Sequence, residues 1–296
     1  MICNKMSLTE EEWDWVKNLP ESKGFVDVHC HLIAEEFDED RDHIINEAIT
    51  EGVTAIVVVA EGDEQFQKIL DWQKRYPEFI FPCLGYHPVQ GDYSNASLAS
   101  SLTTSALTSL KFIEENIENL VGIGEIGLDF TPKFTKNGAE DREKQKEALM
   151  LQVDLADEFN LPINLHSRSA GRPLFELLNS RNKVTPAVFH AYSGKTSLMK
   201  HVCKQRENWY FTFGTNRVTD SDLNQKYAKD IPIKNVLLET DAPALGVDRG
   251  KRNEPKELIR AAETFAARRN IKLNDVKNIT SYNAVKLFPK LKSVLF

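Results

Sequence analysis

Cysteine is scarce in this sequence. Its four cysteines, Cys3, Cys30, Cys83 and Cys203, are widely spaced and form no CxxC pair. That excludes a disulfide framework and points to a reducing compartment. Long apolar runs are missing too. None approaches the roughly 20 residues needed to span a bilayer. The opening MICNKMSLTEEEW has no charged head, apolar core and cleavage site of a secretory signal. A soluble, intracellular protein is therefore expected, cytoplasmic or nuclear and with no membrane partner. Fourteen glycines and 12 prolines are too few for a collagen or a long flexible linker. Positive charge is in deficit. Lys and Arg number 37 against 44 Asp and Glu, a net charge of -7. Broad electrostatic adhesion to a polyanion gains no support from that balance. A local basic pocket or a bound metal stays open. GxxxxGK[ST] does not occur, and the single GxGxxG, Gly122–Gly127, falls at the fourth predicted strand rather than after the first, so neither phosphate-cradling turn stands where its fold requires it.

What is present is an ordinary globular composition, 41% hydrophobic and 27% charged, in 296 residues. From Gly24 onward short apolar runs alternate with helical stretches. Eight strands are predicted: 25–28, 55–59, 79–84, 122–126, 162–165, 187–189, 210–213 and 235–239. They are rich in Val, Ile and Phe without strict alternation, as a sheet covered on both faces requires. Helices are predicted over 38–50, 64–74, 107–118, 142–158, 173–178, 197–206, 222–227, 256–269 and 283–288. Eight βα units predict an α/β fold of the TIM-type (β/α)8 barrel, in preference to an open doubly wound sheet. Residues 24–296 form the expected barrel domain. Residues 1–23 form an N-terminal extension, with Ser7 or Thr9 capping a short helix through Lys17. The segments 94–109, 130–139 and 246–254 read as loops, the second as a lid. The third carries Arg249, Lys251 and Arg252, a solvated run or a contact to a flanking backbone.

Five of the seven histidines, His29, His31, His87, His166 and His190, sit at or just after an apolar run. Residues two apart on a strand share a face, so His29 and His31 point together and Cys30 points away, into a small buried site. Glu125 follows the fourth strand, flanked by Gly124 and Gly127, which permit close approach of another group. His166 and His190 follow the fifth and sixth strands. Glu239 and Asp241 share parity at the eighth. In a barrel the C-terminal strand ends converge on one face. Six metal-capable residues there, His29, His31, Glu125, His166, His190 and Asp241, exceed the needs of one four-coordinate ion. They suit two, with Glu125 as the bridge. Zinc or manganese fits the histidine content, and magnesium stays open. Two such ions activate a water for in-line displacement, with Asp241 orienting or deprotonating it. His87 is expected to bond a phosphate or donate a proton. Arg168 matches phosphate geometry or closes a salt bridge to a nearby helix. Arg217, Ser193 and Lys195 are candidates for the pocket rim.

The segments VDVHCHL (26–32), GYHPVQ (85–90), IGEIGLDF (123–130), LPINLHSR (161–168), FHAYSG (189–194), LLETDAPAL (237–245) and NAVKLFP (283–289) resemble the TatD family of metal-dependent deoxyribonucleases. RSAGRP (168–173) and KRNEP (251–255) resemble an animal branch of that family. The resemblance implies one ion on His29, His31, Glu125 and Asp241, and a second on Glu125, His166 and His190. His87 and Arg168 would lie by the substrate phosphate. It implies hydrolysis of DNA phosphodiesters, as a 3′–5′ exonuclease or at abasic sites, in DNA repair or degradation. The DNA would be single-stranded or end-bound and the enzyme a monomer. Ala242 stands where many relatives carry serine, and the 131–140 loop is long for the family. The competing readings are a hydrolase of a small amide, lactone or phosphoester on the same barrel, and a non-catalytic metal-stabilised scaffold.

Overall fold

The apolar runs become strands because branched and aromatic side chains suit a pleated surface buried on both faces. The computed structural model describes residues 8–90, 102–248 and 250–296. Its strands are β1 (Phe25–Cys30), β2 (Val53–Val59), β3 (Ile80–Leu84), β4 (Gly122–Asp129), β5 (Ile163–Arg168), β6 (Ala187–Phe189), β7 (Trp209–Gly214) and β8 (Val236–Glu239). They form one eight-stranded sheet in chain order. The helices are α1 (Glu10–Lys17), α2 (Arg41–Thr50), α3 (Phe66–Arg75), α4 (Leu102–Glu115), α5 (Ala139–Glu158), α6 (Gly171–Asn179), α7 (Thr196–Gln205), α8 (Asp222–Asp230), α9 (Leu258–Arg269), α10 (Leu273–Leu287) and α11 (Lys292–Leu295). The architecture is the expected parallel α/β barrel. Among the described residues no helix is long and apolar enough to cross a membrane.

The chain divides into two compact units. One comprises Met1–Val57 and Lys195–Phe296, the other Val58–Gly194. In the first, β1 lies against β8: Asp241 N–H donates to the His29 carbonyl and His31 N–H to that of Ala242, both at 2.9 Å. Thr9 caps α1 in a reciprocal box with Glu12, and Trp15 meets the edge of Tyr282 of α10. Ser7, the other candidate cap, and Cys3 lie outside the described residues. The apolar pattern predicts the last helix over 283–288 only. Here α10 begins at Leu273. Val276, Ile279, Thr280, Asn283, Ala284 and Leu287 are buried at helical spacing. The Thr and Asn residues among them hide that stripe from a reading by apolarity alone. Arg252 is not a solvated cation: it forms a fork to Asp40, at 3.0 and 2.6 Å, and lies over the Phe37 ring. Lys251 is exposed beside Asp248, and Arg249 lies outside the described residues.

In the second unit, β4 pairs β5 with a register shift. Ile123 sits opposite Ile163 and Ile126 opposite Leu165. The additional residue falls at Gly124–Glu125, a bulge of the kind that re-aims a side chain. Three glycines make room for it. A Cβ on Gly85 would lie 2.7 Å from the Gly124 backbone, and one on Gly124 would lie 2.6 Å from Asn164. Gly127 has φ +149°, and its Cβ would lie 2.1 Å from the His166 carbonyl. Helix α4 starts at Leu102, earlier than expected, and residues 94–101 of the expected Ser/Thr-rich loop lie outside the described residues. The 130–139 loop contains a single helical turn at Pro132–Phe134 before α5 begins.

Candidate metal centre

Alternation along β1 puts Asp27, His29 and His31 on one face. Nε2 of His29 lies 3.3 Å from Nε2 of His31. Oδ1 of Asp241 lies 3.4 Å from the first and 3.2 Å from the second. A tetrahedral ion at about 2.0–2.1 Å from each ligand sets ligand–ligand edges near ~3.3 Å, so this triangle fits one. Asp241 holds its place with φ +57°, a left-handed conformation that Asp tolerates better than most residues. Cys30 is fully buried, its Sγ turned to the Ala242 carbonyl, as parity predicted.

Behind this triangle stands Asp27, which the sequence analysis quoted but gave no role. Its Oδ1 accepts from the His29 N–H at 3.2 Å and the Thr240 N–H at 3.0 Å. Its Oδ2 bonds the Thr240 hydroxyl. Burial pushes its pKa up to about 7 against the lowering effect of those bonds. Asn253 completes the support. Its amide donates to the carbonyls of Thr240 and Ala244, each at 2.7 Å, and to the Thr215 hydroxyl. The KRNEP segment therefore stitches the loop that carries Asp241. Glu239, which shares parity with Asp241, is also buried.

A second cluster lies in the other unit. Oε1 of Glu125 is 2.9 Å from Nδ1 of His166 and 2.8 Å from Nε2 of His190. The two imidazole nitrogens are 3.4 Å apart. These edges suit a four- to six-coordinate ion at about 2.0–2.2 Å. His87 closes the group, with Nε2 3.6 Å from the same carboxylate oxygen. Its Nδ1 is held by the Val89 backbone, which turns Nε2 inward. Burial pushes the His87 pKa down to about 4, so its ring is neutral at neutral pH. His166 is oriented from behind by Asp129, whose Oδ2 is 3.2 Å from Nε2. Burial disfavours the charged form of His166, but Asp129 and Glu125 outweigh it and raise its pKa. A carboxylate behind a ligating imidazole fixes its orientation and increases its basicity. Asp129 was missed by the sequence analysis. Its signal was parity: it lies four residues beyond Glu125 on the same strand.

The arginines differ. Arg168 is half exposed, with Nη1 3.6 Å from Asp129 of β4 instead of a carboxylate on a neighbouring helix. Arg217 is buried, its guanidinium 4.1 Å above the Tyr227 ring and bonded to Asn224. Near Arg168, a cleft of about 480 Å³ is lined by Phe130, Gly138, Arg142, Lys146, Ser169 and Pro173, among others. Ser193 and Lys195 bracket Gly194, against which the Tyr192 ring packs tightly.

Two histidine–carboxylate clusters at strand ends narrow the fold to metal-dependent barrel hydrolases. A family described as TatD related DNase matches residues 26–289. The chain belongs to that family. Human deoxyribonuclease TATDN3 is 40% identical over 273 residues, which cover 92% of this chain and 97% of that protein. The metal-dependent hydrolase YabD of Bacillus subtilis is 32% identical, over 88% and 98% of the respective chains. Among solved structures, the TatD homologue YJJV of Escherichia coli aligns with a TM-score of 0.77. It is 25% identical, over 90% of this chain and 98% of that one. This TatD-family chain is a metal-dependent hydrolase, and its described residues include separate clusters of His, Asp and Glu able to coordinate divalent ions.

Proposed function

We propose that the chain is a deoxyribonuclease that hydrolyses DNA phosphodiester bonds with two divalent ions, Glu125 bridging them. The carrying observation is the pair of ligand triangles, one on His29, His31 and Asp241, the other on Glu125, His166 and His190. Membership in a family described as DNase supports the substrate class. Ions bound at such residues lower the pKa of a water and offset negative charge on phosphoryl oxygens. The Asp241 carboxylate orients the attacking water and accepts its proton. The neutral His87 ring supports the phosphate or the leaving oxygen through Nε2. Arg168 presents its exposed guanidinium to a phosphate oxygen. Arg217, packed over Tyr227, acts in this reading by holding its own loop. The cleft lined by Arg142 and Lys146 takes the strand beyond the scissile bond. Few phosphate contacts suffice for an end-bound strand, which suits a chain of net charge -7.

The reading includes 3′–5′ exonuclease action on single-stranded DNA and cleavage at abasic sites, by a monomer in an intracellular setting. Residues 24–296 act as one hydrolase domain and 1–23 as an extension; the family match over 26–289 supports that division. The test is a purified chain reconstituted with zinc, manganese or magnesium and given end-labelled single-stranded, duplex and abasic DNA. Stepwise loss from the 3′ end is expected. Asp241→Asn should lower kcat by about a hundredfold or more. Full turnover by Asp241→Asn, or no cleavage of any DNA with any of the ions, would overturn the reading.

A further inference from the structure

Helix α5 carries two glutamines, Gln145 and Gln152, each about 1% exposed. Each makes a reciprocal pair with one backbone unit. Gln145 Oε1 accepts from the Asp129 N–H at 2.8 Å, and its Nε2 donates to the Asp129 carbonyl at 2.9 Å. Gln152 Oε1 accepts from the Tyr86 N–H at 2.7 Å, and its Nε2 donates to the Tyr86 carbonyl at 3.1 Å. Seven residues are nearly two helical turns, so the two amides lie on one face of α5, about 10 Å apart along its axis. Between them Ala148 packs with Tyr86, and Leu149 is buried.

The two clamped residues are not arbitrary. Asp129 is the carboxylate behind His166. Tyr86 immediately precedes His87, whose Nε2 faces Glu125. One rigid helix therefore holds the chain on both sides of the Glu125 cluster. An amide is suited to this task because it offers a donor and an acceptor at once, matching a backbone N–H and C=O. A burial role alone would be met by Leu or Met. Polar side chains deep in a helix–strand interface are retained at a cost unless every group is paired, and here the pairing converges on two residues next to metal-site groups.

We infer that Gln145 and Gln152 are positioning residues for the second metal site, α5 acting as a ruler that sets the spacing of His87 and His166 about Glu125. The inference rests on the reading that the Glu125 cluster holds an ion. Gln145→Met and Gln152→Met keep the side-chain length and apolar stem but remove the reciprocal pair to the strand-end backbone, and at Gln152 also a bond to the Ala148 carbonyl within α5. Leu149→Ala, on the same helix face and without a side-chain hydrogen-bonding group, is the control for lost packing.

The experiment measures manganese or zinc binding to the purified full chain by titration, with thermal stability recorded for every variant. The wild-type chain is expected to bind two ions. Each methionine variant should weaken one ion by about tenfold or more, the usual effect of losing a ligand's outer support. The ion on His29, His31 and Asp241 should keep its affinity. Leu149→Ala should lose stability yet keep both ions. With DNA substrate, the methionine variants should lower kcat with little change in KM, and added metal should restore part of the loss. Equal binding of both ions by the methionine variants and wild type would overturn the inference. So would a loss matched by Leu149→Ala at the same stability. Failure of the wild-type chain to bind a second ion would instead sink the metal reading beneath it.

Discussion

His87 is a histidine that burial keeps uncharged. Its pKa of about 4 lies below the ordinary histidine value of 6.5, with burial as the main cause and the nearby Glu125 charge opposing it. The consequence has a definite sign. Between pH 6.5 and about 4 the unfolded chain takes up a proton at this ring and the folded chain does not. Its contribution to stability is thus complete above pH 6.5 and is lost as pH falls through that window. The metal-free protein should become less stable across it, and His87→Gln should flatten the slope in denaturant titrations at several pH values. A ring that titrates near 6.5 by NMR would refute this. Asp27 carries the opposite perturbation, raised to about 7 by burial. Both groups sit beside metal-site residues, where perturbed titration is common.

At the scale of elements, the loop after β8 depends on a residue distant in sequence. Asn253 is buried and its amide satisfies the Thr240 and Ala244 carbonyls. Asn253→Ala should destabilise the protein by ~1–3 kcal/mol, since it removes the buried amide that donates to the Thr240 and Ala244 carbonyls. Metal affinity at His29, His31 and Asp241 should fall with it. Chemical denaturation and metal titration check the two parts, and a change under about 0.5 kcal/mol, typical of a neutral surface substitution, would contradict the assignment. The KRNEP segment was legible as a motif, but not as a strut: read locally, Lys251 and Arg252 look like a solvated charge run. The fork from Arg252 to Asp40 shows that one of those cations is spent on anchoring the loop. The same blindness shortened α10, whose buried stripe mixes Thr and Asn with Val, Ile and Leu.

For the whole molecule, the ions are part of the stability balance. An ion that binds only the folded chain, present at a hundred times its Kd, adds about 2.7 kcal/mol per site. Chelation should therefore lower Tm by roughly 5 °C or more, and restoring zinc or manganese should return it. A Tm indifferent to both treatments would show that the clusters hold no ion in the folded chain. The net charge of -7 also takes its meaning at this scale. Two divalent ions would supply positive charge where a phosphate must sit, without appearing in any count of residues.

The barrel and the identity of the metal-capable histidines followed from the sequence by itself. Strand and helix periodicity are local, and the parity of His29 with His31, or of Glu239 with Asp241, is carried by neighbours two apart. Tertiary structure decided the rest. It brought Glu125 within 3 Å of His166 and His190, placed Asp129 behind His166, and set two glutamines of α5 on the backbone of Asp129 and Tyr86. A buried glutamine has no local signature; its partners lie 16 and 66 residues away. Such pairings exist only once the chain has closed, because a hydrogen bond depends on where groups meet in space and periodicity records only which face they leave from.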